Sequence, residues 1–187
     1  MDSPYILIVC EGTTENLYFN ILKTRLRISK VQIEIIDMRG CQHESLVDAC
    51  VDKRTLLCSD LDLDEENVET WAVCDADGYK SFPKLKKYGD KKKVNIAFSN
   101  PQFETFLIQH LELRRTVNKR KKLEAEISGL IGEKYQKTNL SWLDNLVDVQ
   151  PSILNKAVNN SEAFNKTHKI PFFTVQKLVK KLIDLAD

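Results

Sequence analysis

The apolar residues of this chain fall first into continuous blocks and later into helical stripes. Tyr5 to Cys10 is unbroken, and Trp71 to Cys74 repeats the pattern. Short uninterrupted apolar runs are what strands buried on both faces of a parallel sheet require. Val31 to Asp37 carries Val31, Ile33 and Ile35 in alternation before Ile36 interrupts it, and it reads as another strand, as does Val94 to Phe98. Gly12-Thr13-Thr14 makes a turn into a helix from about Glu15, with Leu17, Ile21 and Leu22 on one face. Arg39-Gly40 ends the next strand, and His43 to about Cys58 reads as a helix with Leu46, Ala49 and Cys50 inward. Ser59 to Glu69 reads as an acidic linker and Lys80 to Lys93 as a lysine-rich loop and hairpin. Pro101 suits the first position of a further helix, whose buried face is Phe103, Phe106, Leu107 and Leu111.

Beyond residue 113 the alternation of strand and helix stops. Arg114 to Gly132 predicts a polar, basic helix broken near Gly129, and Tyr135 to Ser141 an irregular stretch. Ser152 to Phe164 predicts a helix. Thr174 is placed to cap a last amphipathic helix bearing Val175, Leu178, Val179, Leu182 and Leu185. The expected organisation is an α/β core of β-α-β-α-β-β-α order over residues 1–113, with a parallel sheet of about four strands, and a helical C-terminal lobe over 114–187.

Composition narrows the class without deciding it. The 28 basic and 27 acidic residues almost cancel, so their placement matters more than their sum. No stretch approaches the roughly 20 apolar residues of a membrane helix, and the N-terminus lacks the basic region and cleavage site of a signal peptide. The five cysteines include no CxxC pair, which argues for a reducing cytoplasm rather than a disulfide framework. Cys41, His43 and Cys50 match no paired zinc-ligand spacing. His43, His110 and His168 form no recognisable ligand set, and His110 reads as a packed or half-exposed histidine. There is no GxxxxGK[ST], so the chain by itself is not expected to hydrolyse ATP.

The informative chemistry lies where the strands end. Strand one runs into Glu11-Gly12, and the Trp71 strand into Asp75-Ala76-Asp77-Gly78. Parallel strands joined by right-handed crossovers finish at the same sheet edge, outside which α/β folds bind ligands. Glu104, in the first turn of the helix after strand four, should begin there too. Carboxylates gathered about 4 Å apart repel by ~4 kcal/mol per pair at an effective dielectric near 20. Protons or a hard divalent cation must relieve this, and magnesium takes carboxylate oxygens, waters and substrate phosphates. The same acids also suit helix N-termini or a plain turn at Gly78. Glu15, at a helix start, reads as a cap or as a neighbour supporting the ligands. A receiver-type phosphoacceptor would place its acid pair after strand one, the reverse of what is present.

Ile6-Leu-Ile-Val-Cys-Glu11-Gly-Thr-Thr-Glu15-Asn-Leu-Tyr-Phe19 resembles the opening of the RloB-like family, as does Ser99-Asn-Pro-Gln-Phe-Glu104-Thr-Phe-Leu-Ile-Gln-His110. The aspartate pair Asp75 and Asp77, the Tyr135-Gln136-Lys137 triplet and the Thr174-Val175 helix start extend the resemblance over nearly the whole chain. It implies a Toprim-like Rossmannoid core, in which Glu11, Asp75 and Asp77 bind Mg2+ (or Mn2+). Glu11, Glu104 and Lys137 would be catalytic, with Glu104 a further ligand or base. The implied activity is a metal-dependent nuclease acting on DNA or RNA, in antiphage defence (abortive infection) beside an AAA/ABC-type ATPase. The alternative is a non-catalytic binding subunit of such an ATPase complex. The family pattern continues in more polar residues after the second aspartate, whereas here Gly78-Tyr79-Lys80 follows.

Two basic segments flank the acids. Lys80, Lys84, Lys86 and Lys87, with Lys91 to Lys93, follow the aspartate pair directly. Arg114 and Arg115 open a second cluster with Lys119, Arg120, Lys121 and Lys122. Both read equally as nucleic-acid contacts or as solvated faces. Lys80, by proximity in sequence, is a second candidate for a catalytic cation.

Overall fold

A computed structural model describes residues 5–79, 81–115, 120–163 and 171–186. Lys80, Lys119, His168 and the end of the helix expected up to Phe164 lie outside these residues. The first strand, β1 (Tyr5–Cys10), is buried along its whole length, as its unbroken apolar sequence demands. It is followed by α1 (Thr13–Arg25), β2 (Gln32–Asp37), α2 (His43–Leu61), β3 (Val68–Asp75), α3 (Phe82–Lys91), β4 (Asn95–Asn100) and α4 (Phe103–Leu111). Then come α5 (Arg120–Ile131), α6 (Ser141–Val149), α7 (Ile153–Glu162), β5 (Phe172–Phe173) and α8 (Val175–Asp184).

The sheet order is β2-β1-β3-β4-β5. The first four strands are parallel, in registers that align Cys10 with Asp37 and with Val73, and Asp75 with Ser99. Side chains alternate across the pleat, so β1 feeds two cores. Ile6, Ile8 and Cys10 pack with residues of α1, α4, α5, α6, α7 and α8; Tyr5, Leu7 and Val9 pack with residues of α2 and α3. The chain leaves β1 towards β2 and then returns past β1 to β3. That reversal opens a crevice outside the C-terminal ends of β1 and β3.

Several expectations need correction. The sheet has five strands, and β5 is antiparallel to β4 through Ser99–Phe173 and Asn100–Phe172. The lysine-rich segment is not a loop and hairpin: α3 occupies it, burying Leu85 and Gly89 while its lysines face outward. A side chain at Gly89 would meet the Val94 carbonyl at 2.6 Å, so only glycine allows α3 to turn back so closely onto β4. Pro101 is not the first helical residue. It follows a cis peptide bond, and α4 starts at Phe103. Helix α5 runs unbroken through Gly129, and α6 occupies a stretch where no helix was expected. The acidic linker is short, because α2 extends to Leu61 and β3 starts at Val68. Thr174 precedes α8 but makes no side-chain cap. Its hydroxyl donates to the Ile96 carbonyl (2.7 Å) and accepts from the Phe98 N–H (2.9 Å).

Candidate functional site

A cavity of about 290 Å3 opens at the crevice, lined by Glu11, Gly12, Thr13, Thr14, Glu15, Asp75, Asp77, Glu104, Lys137 and Thr138. Each acid arrives on a different element. Glu11 is anchored as β1 ends, where its N–H donates to the Val73 carbonyl (3.0 Å). Its carboxylate accepts from the Asp75 N–H (3.3 Å), which joins the tips of β1 and β3 directly. Asp75 closes β3. Asp77 stands in the following turn at φ +40°, exposed, with its N–H directed to the Pro101 carbonyl (3.4 Å). Glu104 rises from the first turn of α4 and is 1% exposed.

Glu15 proves to be more than a helix-start acid. It is 6% exposed and folds back towards Gly12, where a Cβ would come within 2.8 Å of its Oε2. Glycine at position 12 therefore leaves the space the carboxylate fills. Burial pushes the Glu15 pKa up to about 7, and the charges of Glu104 and Glu11 add to the shift. Burial likewise raises Asp75 well above the usual carboxylate range, reinforced by Glu15 and Glu104, while a Phe103 N–H bond opposes it. Glu11 is raised for the same first reason and partly restored by the Asp75 N–H. The Oδ1 of Asp75 is buried with no hydrogen-bond partner. An acid cluster of this kind is what burial makes costly unless a cation enters.

One cation is built in. Lys137 Nζ lies 2.5 Å from Glu104 Oε1, and the Tyr135 hydroxyl donates to the same oxygen (3.4 Å). Thr14 holds the lysine's turn by donating from its hydroxyl to the Lys137 carbonyl (3.1 Å). Lys137 thus lines the same cleft as the acids, joined directly to Glu104 and, through its carbonyl, to Thr14 across 123 residues of chain.

The donor set is carboxylate oxygen throughout, which fits a hard divalent ion in type, and the orphaned Asp75 oxygen points to an absent partner. Among the described residues, however, no three His, Cys, Asp or Glu side chains form a ready-made metal-binding group. The ligands would have to draw together around an ion.

The basic residues are less concentrated than the acids. Lys84, on α3, lies 3.6 Å from Glu44, and Lys86 pairs with Asp90 along the same helix (2.6 Å). Lys87 is exposed on the same helix. Arg114 is engaged by Glu112 and Glu126, with Arg115 beside it exposed. Both follow the far end of α4, a helix rising about 13 Å, so they stand away from Glu104. His110 is fully buried, accepts or donates at Tyr18 Oη (3.0 Å), and has its pKa lowered to about 4 by burial. Residues that sequence reasoning did not assign to this site also reach it. Thr138 lines it, Gln42 lowers the Glu11 pKa, and His43 touches the Asp75 carbonyl. Their one sequence signal is position: Gln42 and His43 follow β2, which must end at the same edge as β1 and β3.

A five-stranded mixed sheet flanked by helices, with carboxylates at its point of strand reversal, defines a mixed α/β domain. The chain belongs to the RloB-like family, whose model, described as RloB-like protein, matches residues 6–182. No curated protein and no solved structure matches it. Among the described residues, no helix is long and apolar enough to cross a membrane.

Proposed function

We propose that this RloB-like chain is a Toprim-type, magnesium-dependent nuclease that cleaves phosphodiester bonds in DNA or RNA. The observation that carries the reading is the convergence of Glu11, Glu15, Asp75, Asp77 and Glu104 on one cleft, with a buried Asp75 oxygen left without a partner. Glu11, Asp75 and Asp77 would hold the ion. Bound magnesium would supply charge stabilisation at the phosphoryl group and an acidified water. Lys137, held by Glu104 and by the Thr14 bond to its own carbonyl, presents its ammonium to the anionic phosphate or to charge developing on the leaving oxygen. Glu104, in that arrangement, orients the lysine. Exposed Lys84 and Lys87 on α3 would follow the nucleic-acid backbone past the rim, with Lys86 beside them and Arg114 and Arg115 offering a more distant contact. Lys80 adjoins this path in sequence. A cytoplasmic setting in antiphage defence beside an AAA/ABC-type ATPase goes with the family reading.

A second reading is favoured by one specific observation. Lys137 already neutralises Glu104, and no preformed metal group stands among the described residues. The domain would then be a non-catalytic binding subunit of an ATPase complex.

The two part on one experiment. Purified chain is incubated with plasmid and with structured RNA in Mg2+ or Mn2+, alone and with the co-encoded ATPase, beside Asp75→Asn and Glu11→Gln. The nuclease reading expects cleavage that needs the ion and falls at least 100-fold in either variant. Equal cleavage by wild type and variants, or antiphage protection that survives both substitutions, would leave the binding subunit in its place.

A further inference from the structure

We infer that His43 is a positioning residue for the Asp75-Ala76-Asp77 turn, setting the affinity of the acid cleft for a divalent cation. The inference rests on the metal-centre reading above.

His43 Nε2 lies 3.1 Å from the Asp75 carbonyl and 3.1 Å from the Ala76 carbonyl. Carbonyl oxygens only accept, so Nε2 must carry the proton and divide it between the two. The ring stacks on Tyr79 at 4.3 Å between centroids and 20° between planes. Tyr79 is tied in turn through its hydroxyl to Glu44 (2.7 Å) and through its N–H to the Ala76 carbonyl (2.6 Å). The imidazole therefore grips both sides of the turn that carries the proposed ligands.

Starting α2 does not account for this ring. The helix start is held by Gln42 and Ser45: the Gln42 N–H donates to Ser45 Oγ (2.9 Å), and the Ser45 N–H to the Gln42 carbonyl (3.0 Å). His43 also sits at φ +49°, a left-handed backbone that side chains rarely adopt, at the first residue of α2. A sparsely populated conformation persists where neighbouring contacts hold it. The contacts that hold this one lead to the aspartate turn. Asp77 and Gly78 are themselves left-handed, at +40° and +85°, so little in the turn's own backbone preference would keep the two carboxylates aimed together.

The test uses the full chain, stripped of metal, with Mn2+ as the probe and its electron paramagnetic resonance signal as the measure of free ion. His43→Phe keeps a ring over Tyr79 and loses the donor; His43→Gln loses the ring and keeps a donor of similar reach. The expected result is a Mn2+ affinity about 10-fold or more weaker in the Phe variant, close to wild type in the Gln variant, with melting temperatures of all three alike. In the metal-free chain, amide exchange across Ala76–Tyr79 should quicken in the Phe variant and not in the Gln variant. Equal affinities and equal exchange in all three would overturn the inference. So would parallel losses of affinity and melting temperature in both variants, the mark of a merely structural residue. Wild type that binds no Mn2+ would instead remove the metal centre itself, a failure seen before any variant is compared.

Discussion

The two edges of the sheet carry carboxylates in opposite conditions. At the edge where the strands begin, a cavity of about 460 Å3 is lined by Tyr5, Glu66, Glu69, Lys93 and Lys181 among others. Its acids are paired and wet: Glu69 with Lys181 at 2.8 Å, Glu66 with Lys93 at 3.8 Å and 85% exposed. At the edge where the strands end, Glu15, Asp75 and Glu104 are nearly inaccessible, and the lysine that lines their cleft, Lys137, pairs with Glu104. The first edge is what a surface does with charge. The second works against folding, since each buried carboxylate raises the cost of ionising the next. A chain that needed only to fold would have no use for such an arrangement, and that contrast, more than the volume of either cavity, marks the site.

The sharpest way to break the contrast is pH. Glu15 ordinarily titrates near 4.5, and the fold raises it to about 7. The folded chain therefore holds a proton that the unfolded chain has released, so its stability is full below about 4.5 and falls as pH rises through about 7. Asp75, raised well above its usual range by burial, adds a loss of the same sign. Thermal melts of metal-free protein should fall steadily over that window, and Mg2+ or Mn2+ should flatten the slope. A melting temperature that climbs with pH there would show the cluster to be compensated after all. A smaller effect is expected from Lys137→Met, which strips the buried Glu104 of its cation and should cost about 2 kcal/mol in denaturant unfolding near neutral pH. Its reversal by Glu104→Gln in the double variant would confirm that the pair is the cause. The smallest belongs to the opposite edge. Lys181→Met breaks a half-exposed pair with Glu69 and should change stability by no more than about 1 kcal/mol.

What sequence made legible follows the same division. Strands β1 and β3 are readable because burial on both faces leaves no room for polar alternation, and their ends put Glu11 and Asp75 at one edge by topology alone. Helix α3 was hidden by its own lysines: only Leu85 and Gly89 are buried, and the face they form is too narrow to outweigh the charge around it. Strand β5 is two residues long, and its pairing is fixed by β4 and by the Thr174 hydroxyl rather than by any local preference. Within the site, Lys137 was singled out only through family resemblance, and its contact with Glu104 was not expected, since nothing local in the sequence joins the two. His43 was weighed only as a metal ligand and set aside, for a related reason. A histidine at a helix start looks ordinary until the order of strands is known, and strand order depends on packing across the whole sheet.

The Thr174 hydroxyl carries a last consequence. By stitching itself to Ile96 and Phe98, with its own N–H on the Phe98 carbonyl (2.8 Å), it closes a flank of β4 that would otherwise present open hydrogen-bonding groups beside Phe98. A polypeptide stopped at residue 163 would bare that flank as a template for strand addition. Such a fragment is expected to self-associate into aggregates rather than persist as a smaller working unit.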